Sequence, residues 1–283
     1  QGSRYTAQTF LDAIPGTGGI ISAIARKVGC DWKTADSWVH DFPTVRRAYD
    51  AECEAMLDLA ESTVLNLILW LPVLGMLALA LAPRLSDRAV RGFTFGVMLL
   101  QLVLTAWLYA RFDGAVPGLQ FETRVSWIGD WGVNYHIGLD GLNVLLVALT
   151  AFLGPLVVAG AFSAITQSVK LFYAMVFFIQ FAMLGTFLAQ DLFLFYVFWE
   201  AMLIPMFLII GIWGGERRIY ATLKFVLYTA FGSILMLAAL IYLVLYTHGS
   251  SGYMTFDLRH LSGSQLPLNT QLWLLSAFAL SFA

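Results

Sequence analysis

The chain is poor in charge, in cysteine and in the short motifs that mark nucleotide or metal sites. Only 12% of its 283 residues are charged, and its two cysteines, Cys30 and Cys53, are too few for a disulfide framework or a metal cluster. No GxGxxG, P-loop, CxxC or HExxH pattern occurs, so a bound nucleotide, iron–sulfur cluster or zinc ion has no support. The formal net charge of −2 argues against bulk attraction to nucleic acid.

Apolar residues dominate instead, and they are unevenly spread. The chain is 59% hydrophobic, with a mean hydropathy of +0.76, whereas soluble domains are roughly 45–50% apolar and about 25% charged. Six basic and nine acidic residues lie in 1–63, against ten and nine in the much longer stretch 64–283. We therefore predict a soluble segment at 1–63 and a membrane segment at 64–283.

Six apolar runs are long enough to cross a bilayer, since about 20 helical residues span its hydrocarbon core. The predicted spans are 64–82, 89–110, 139–162, 170–190, 191–213 and 219–246. A seventh run begins near Gln271 and covers only about 20 Å before Ala283. The predicted fold is an all-α polytopic membrane helix bundle with six complete spans and a truncated seventh, and we expect the chain to be a fragment at both ends.

Basic residues in the short loops predict the orientation of the bundle. The loops after spans one, three and five hold Arg84, Arg88, Arg91, Lys170, Arg217 and Arg218. The loops after spans two, four and six hold only Arg111, Arg124 and Arg259. We therefore predict that loops 83–88, 163–169 and 214–218 face the cytoplasm and that the first span starts on the outer side.

The long outer loop between the second and third spans has the pattern of a β-hairpin. Apolar and polar residues alternate over 121–127 and again over 133–137, with a glycine-containing turn at 129–132 between them. We predict an outer β-hairpin that serves as a lid or a subunit contact, with a merely ordered loop as the alternative.

Glu200 is the leading candidate for chemistry in the membrane. It lies about 13 Å along its span from Asp191 and about 20 Å from Gly214, too deep for its side chain to reach water. Pro205 cannot donate to the carbonyl of Ala201, which leaves a free acceptor nearby. We predict a hydrated polar point in the mid-membrane; the alternative is a neutral glutamate that holds helices together.

Lys224 is the second candidate. It lies about 9 Å along the helix from Arg218, a distance over which a lysine side chain can bring its ammonium group to the membrane surface. Tyr228, Gly232 and Ser233 lie on the same face of the helix and are small or polar, as in a packed helix interface. Because Glu200 is about 11 Å deeper, we predict no direct salt bridge between the two.

Three further expectations concern the third span, the acids at span starts and the histidines. We expect Gly154 and Pro155 to interrupt the third span at a point that faces protein or a cavity, with a packing kink as the alternative. We expect Asp140 and Asp191 to cap helices. The three histidines without metal-ligand spacing are expected to be solvated in outer loops: His136, His248 and His260.

Several of these segments together resemble one family. The matching stretches are 191–206, 212–215, Lys224–Thr229 with Gly232 and Ser233, and Gly138–Leu142. Residues 64–283 resemble the antiporter-like chain M (subunit 4) of NADH-quinone oxidoreductase, respiratory complex I. The resemblance implies a proton-translocating subunit of the membrane arm, in which Glu200 is an essential ionisable residue and Lys224 a charge of the inner half-channel.

The resemblance also implies what the chain would bind and where it would work. Its partners would be the lipid bilayer and other membrane-arm subunits in a bacterial inner membrane. It would hold no cofactor, because the NADH, flavin, iron–sulfur and quinone sites lie in other subunits, so it would be an enzyme only as a non-redox subunit. The alternative is a subunit of a multi-chain cation/proton antiporter or membrane-bound hydrogenase, which would also use Glu200 and Lys224.

The incomplete seventh span has a consequence for the expected activity. The family's seventh-helix lysine, the expected partner of Glu200, would come just after Ala283. We therefore expect Glu200 to be protonated here, because a low dielectric disfavours its charge, and we expect the fragment alone to pump nothing.

Residues 1–63 do not resemble that family. Helices are predicted at about 5–13, 19–28, 31–40 and 44–63, and the pattern of Ala25 and Gly29 resembles helix-turn-helix domains of phage terminase small subunits and transposon proteins. The candidate DNA-contacting residues are Arg26, Lys27, Lys33, Thr34 and Ser37. The alternatives are a ligand-free bundle and a membrane-tethered DNA-binding regulator. Because the predicted orientation puts this segment outside the membrane, we favour an unrelated fusion.

Overall fold

The computed structural model describes residues 5–82 and 85–282, without the side chains of 250 and 251. Pro83 and Arg84, which belong to the predicted loop 83–88 and to the charge count, lie outside the described residues, as does Ala283. The chain divides into two compact units, Gln1–Thr63 and Val64–Ala283.

The first unit is a small helical bundle. It contains α1 (Ala7–Ala13), α2 (Ile21–Val28), α3 (Trp32–Asp41) and the first part of α4 (Pro43–Leu81). Its core includes Phe10, whose ring stacks on Trp38 at 4.9 Å, and the buried Ile24. The side chain of Asp31 caps α3 by accepting from the N–H of Thr34 at 2.9 Å. The helices agree with the prediction, except that the fourth predicted helix and the first span form one continuous α4.

The membrane unit is a helix bundle with one small sheet. Its further helices are α5 (Asp87–Arg111), α6 (Asn143–Ala164), α7 (Val169–Leu188), α8 (Leu192–Ala201), α9 (Leu203–Trp213), α10 (Arg218–Ser251), α11 (Leu258–Ser262) and α12 (Leu268–Phe282). Within the described residues, six segments are long and apolar enough to cross a membrane, with α8 and α9 together forming one of them. The predicted fold class is therefore confirmed, and the short seventh helix is α12.

The predicted hairpin is present between α5 and α6. Strands β1 (Gln120–Ile128) and β2 (Val133–Leu139) pair antiparallel, with Arg124 opposite His136 and two irregularities in the register. Gly132, at the turn, has a φ of 67°, and a Cβ there would overlap the backbone of Met254. The hairpin is tied to the bundle by a hydrogen bond of 2.8 Å from the N–H of Gln190 to the carbonyl of His136.

The prediction of a break at Gly154 and Pro155 is wrong, because α6 runs unbroken from Asn143 to Ala164. Pro155 has no N–H, so the Ala151 carbonyl loses its usual donor, while the adjacent Thr150 carbonyl accepts from the Gln180 amide at 3.1 Å. A close approach is required here, since a Cβ on Gly154 would lie 3.2 Å from the Gln180 amide nitrogen. Pro155 therefore lies inside a continuous helix.

Candidate functional site

The span that carries Glu200 is interrupted at Met202, where the helical hydrogen bonding is weak although the backbone keeps helical dihedral angles (φ −63°, ψ −27°). Helix α8 ends at Ala201 and α9 begins at Leu203, with Met202 between them. The N–H of Met202 reaches the Phe198 carbonyl only at 3.3 Å. Because Pro205 has no N–H, the Ala201 carbonyl lacks its usual donor four residues on. The site therefore has an interrupted backbone next to a carboxyl group.

The Glu200 carboxyl is not fully satisfied. Its Oε1 atom is buried without a hydrogen-bond partner. A buried acceptor that lacks a donor is costly in free energy, so this oxygen marks Glu200 as a candidate site.

Aromatic rings surround this polar point. Phe198 packs edge-on against Phe181 at 5.3 Å, and Trp199 packs edge-on against Phe282 at 4.9 Å. A Cβ on Gly185 would overlap the ring of Phe198, so α7 and α8 are in close contact there. The rings leave few polar groups to stabilise a charge on Glu200, which makes an unpaired oxygen costly.

Lys224 is not part of this cluster. It is exposed on α10 and lines an open groove of about 600 Å³ together with Arg217, Arg218 and two tyrosines. Among the described residues, no ion pair or hydrogen bond joins Lys224 to Glu200, in keeping with the difference in depth expected from the sequence. Whether either residue moves protons stays a prediction at this point.

A second polar cluster lies at the outer face, and the prediction of a solvated His136 is wrong. This side chain is 2% exposed, because it sits between the hairpin and the loop before α11. Its Nε2 lies 2.8 Å from Glu122 Oε1, and its Nδ1 lies 3.4 Å from Asp257 Oδ2. Arg124 reaches the same Asp257 oxygen at 3.3 Å. The signal available in the sequence was the hairpin register, which places His136 opposite Arg124 in a strand pair. His248 and His260 are exposed, as predicted.

The predicted capping acids behave as expected. Asp191 accepts from the N–H groups of Phe193 and Leu194 at the start of α8, at 2.9 and 3.1 Å, and from the N–H of Asn134 at 2.9 Å. Asp140 accepts from the N–H groups of Leu142 and Asn143 at the start of α6. Asp191 therefore joins the hairpin to the helix that carries Glu200.

The candidate DNA-contacting residues lie on two helices of the first unit, and several are already engaged. They are Arg26 and Lys27 at the end of α2, and Lys33, Thr34 and Ser37 on α3. The Lys27 ammonium donates to the carbonyl of Pro15 at 2.6 Å. The Thr34 hydroxyl donates to Asp31 at 2.8 Å and the Ser37 hydroxyl to Asp41 at 2.5 Å.

The charge on α3 does not favour a nucleic-acid surface. Asp36 and Asp41 lie on the helix and Asp31 caps it, against one lysine, Lys33. Hydrogen bonds from Thr34 lower the pKa of the exposed Asp31 carboxyl and so favour its negative charge. The DNA-binding interpretation receives no support and stays a prediction.

Comparison with known proteins identifies the class of the membrane unit. Residues 189–283 match the family described as NADH:quinone oxidoreductase/Mrp antiporter, TM. A chain in the structure of the Mrp complex from Dietzia sp. shares the fold, with a TM-score of 0.64 at 18% identity over 78% of this chain and 23% of that one. The fold and the matched segment are therefore those of antiporter-like membrane subunits.

Within that class, the chain is similar to one particular subunit, as the sequence predicted. It is 41% identical over 231 residues to NADH-quinone oxidoreductase subunit M of Rhodobacter capsulatus, covering 78% of this chain and 44% of the relative. Subunit M of Rickettsia felis is 35% identical, covering 79% and 45%. A chain of respiratory complex I from Thermus thermophilus is 34% identical with a TM-score of 0.62, covering 77% and 43%. The chain thus spans less than half the length of these relatives.

Proposed function

We propose that residues 64–283 form the N-terminal part of a proton-translocating membrane-arm subunit of an NADH-quinone oxidoreductase. The observation that carries the proposal is the Glu200 carboxyl, which has a buried oxygen without a partner beside a helix break in the span. An ionisable group in such a place is costly to keep, so its presence favours a role in moving charge. The similarity to subunit M supports the same role.

In this proposal Glu200 exchanges a proton in the membrane and Lys224 serves the approach from the cytoplasmic side. The exposed groove around Lys224 also holds Arg217 and Arg218, and it lies about 11 Å shallower than Glu200. Transfer between the two residues therefore needs intervening water or a third ionisable group. The chain itself does no redox chemistry, and the NADH, flavin, iron–sulfur and quinone sites belong to partner subunits.

We further propose a location in a bacterial inner membrane beside other membrane-arm subunits. Loops 83–88, 163–169 and 214–218 then face the cytoplasm, and the hairpin and the start of the first span face outward. The relatives from Rhodobacter capsulatus and Rickettsia felis support a bacterial setting. Because the chain spans less than half of those relatives, we propose that it does not pump protons alone.

A chimera tests the function directly. Residues 64–283 replace the corresponding part of subunit M of Rhodobacter capsulatus, and NADH-driven proton pumping is measured in membrane vesicles. Glu200→Gln is expected to reduce pumping at least tenfold, because the amide carries no exchangeable acid, whereas the exposed loop variant Glu216→Gln is expected to pump normally. Normal pumping by an assembled Glu200→Gln chimera would overturn the proposal.

The second candidate is a subunit of a multi-chain cation/proton antiporter. It is favoured by the description of the matched family, which covers both classes, and by the fold shared with a chain of the Mrp complex. Under this candidate the chimera would fail to support NADH-driven pumping, while an equivalent chimera in an Mrp subunit would restore cation/proton exchange that depends on Glu200.

A further inference from the structure

The two ring nitrogens of His136 lie in different environments. Nε2 is 2.8 Å from Oε1 of Glu122 on the neighbouring strand, a hydrogen-bond distance. Nδ1 is buried and has no hydrogen-bond partner among the residues that the structure describes. It lies 3.4 Å from Oδ2 of Asp257, in the loop before α11. Both nitrogens therefore face carboxyl oxygens, but only Nε2 makes a hydrogen bond.

The charge of the ring decides whether the contact with Asp257 is attractive. A carboxylate can only accept a hydrogen bond, so the single proton of a neutral His136 ring lies on Nε2 and faces Glu122. The Nδ1 atom then presents a lone pair to a carboxylate oxygen, which is unfavourable in a buried site. A second proton, on Nδ1, allows a charge-assisted hydrogen bond from the imidazolium to Asp257.

Charges of both signs surround the ring. The two neighbouring carboxylates favour a second proton on His136, and so does Asp191 at the start of α8, which accepts from the N–H of Asn134 at 2.9 Å. Arg124 opposes it, because its guanidinium lies 3.3 Å from the same Asp257 oxygen. Helix α7 also packs against β2, and its one charged residue is at the opposite end, at Lys170. Three further titratable side chains line the adjoining cavity: Tyr253, Arg259 and His260.

Protons can reach this ring from water on the side of the membrane unit where the hairpin lies. The ring itself is 2% exposed, but the Glu122 side chain that it contacts is 40% exposed. Both residues line an open cavity of about 470 Å³, together with Asp257. A proton exchanged between His136 and the solvent therefore does not have to cross the helix bundle.

His136 also lies at a junction of three segments. Its carbonyl accepts from the N–H of Gln190 at 2.8 Å, and the Gln190 carbonyl accepts from the N–H of Leu258 at 2.9 Å. The N–H of Leu192 donates to the carbonyl of Phe256 at 2.9 Å. The hairpin, the start of α8 and the loop before α11 are thus joined through their backbones, and the His136 ring adds a side-chain contact between the first and the last of them.

We propose that His136 is a proton-binding site that holds the hairpin against the loop before α11. A proton from the cavity water binds at Nδ1, and the resulting imidazolium bonds to Glu122 and Asp257 together. When the proton returns to the water, the bond to Asp257 is lost and the junction is weaker. Histidine is the side chain whose charge ordinarily changes between about pH 5 and 8. The proposal goes beyond the proposed function and does not depend on whether Glu200 moves protons.

The first measurement is nitrogen NMR of the full chain in lipid vesicles, with its four histidines isotopically labelled. The signals of His136 are those that are missing from His136→Gln. Lowering the pH from about 8 to about 5 is expected to convert the His136 ring from one protonated nitrogen to two. Asp257→Asn is expected to lower the pH at which the second proton binds, and Arg124→Gln to raise it, because each removes one charge from beside Nδ1.

The second measurement is amide hydrogen exchange of the peptides that contain Gln190 and Leu258. His136→Gln keeps an N–H for Glu122 but cannot bind a proton. Its exchange is expected to be about tenfold faster than in the unchanged chain at the lower pH, because a hydrogen bond between charged groups is missing. At the higher pH the difference is expected to be less than about twofold. Comparing the chains at equal pH cancels the chemical effect of pH on exchange.

His260→Gln is the matched control, since this exposed ring lines the same cavity and is expected to leave exchange unchanged at both pH values. If His136→Gln does not fold, Asp257→Asn takes its place, because an asparagine can still cap α11. His136 signals that stay the same between the two pH values overturn the proposal. A second proton that binds without any pH-dependent difference in exchange overturns it as well, as does a His260→Gln chain that behaves like His136→Gln.

Discussion

At the outer face, the imidazole of His136 lies between the carboxylates of Glu122 and Asp257 and links the hairpin to the loop before α11. The ring is nearly inaccessible to water and makes a hydrogen bond to Glu122 through Nε2, so its removal takes away both that bond and the packing of a buried ring. The side chain therefore contributes to the attachment of the hairpin although it lies in a connecting segment between two spans.

His136→Ala is expected to destabilise the membrane unit by about 2 kcal/mol, because the packing of a buried ring and its hydrogen bond to Glu122 are lost together. His248→Ala, at an exposed position, is expected to change stability by less than about 0.5 kcal/mol. Thermal unfolding in detergent compares the two, with limited proteolysis reporting on the hairpin. Equal stability of both variants would show that the ring does not anchor the hairpin.

The residues of the Glu200 site were only partly predictable. Its depth follows from counting along one span, and the free Ala201 carbonyl follows from Pro205, so both could be read from a single segment. The packing of Trp199 against Phe282 could not, because that contact depends on how the helices α8 and α12 are rotated against each other. His136 was missed for a related reason: a short-range pattern gives a hairpin but not the loop that packs over it.

At the element scale, a buried glutamine compensates for the proline in α4. Pro72 in α4 cannot donate to the carbonyl of Ile68, and the Gln101 amide on α5 donates to it at 2.7 Å. Gln180 on α7 donates in turn to the Gln101 oxygen at 3.0 Å. Each glutamine is an isolated polar residue in an apolar stretch of the sequence, so only the packing of the helices shows that the two are connected.

Gln101→Leu is expected to destabilise the bundle by roughly 1–3 kcal/mol, because the Ile68 carbonyl and the Gln180 amide lose a partner together. Gln180→Leu is expected to have a comparable effect, and the double variant to cost less than the sum, since the two act in one network. The exposed Gln271→Leu is the control. Denaturation in detergent gives the four values, and strict additivity would contradict the network.

The hairpin turn depends on a residue without a side chain. Gly132→Ala is expected to lower stability by at least about 1 kcal/mol, because a positive φ disfavours any Cβ and the added atom meets the Met254 backbone. Gly141→Ala, where a Cβ would meet nothing within 4 Å, is the matched control. Limited proteolysis of the hairpin and global unfolding are measured for both variants, which distinguishes a local loss of structure from a general one. Equal stability and equal protease sensitivity of the two variants would contradict the prediction.

At the scale of the whole molecule, the proposed orientation can be tested by labelling. In a background with Cys30 and Cys53 replaced by serine, a cysteine at Asp130 in the hairpin turn should react with an impermeant maleimide added outside intact cells. A cysteine at Gly215 should react only after the cells are made permeable, because the basic loop 214–218 stays in the cytoplasm. The opposite pattern would invert the proposed orientation.

The two units also differ in how much of their structure and function the sequence predicts. For the membrane unit, span lengths, the hairpin and the family resemblance agree with the structure and the comparisons. For the first unit, the helices are as expected, but helix positions alone do not distinguish a DNA-binding domain from an inert bundle. That distinction depends on surface charge and free side chains, and the acidic surroundings of α3 do not favour DNA.

The break between α8 and α9 has an electrostatic consequence for the interior of the bundle. The Glu200 Oε1 atom is an acceptor without a donor, and the carbonyl of the next residue, Ala201, lacks the N–H that Pro205 cannot supply. Both oxygens carry a negative partial charge whether or not the carboxyl is ionised, and such charges produce strong fields in a region of low dielectric. This point in the span therefore attracts a proton, a hydronium ion or an ammonium group and repels anions.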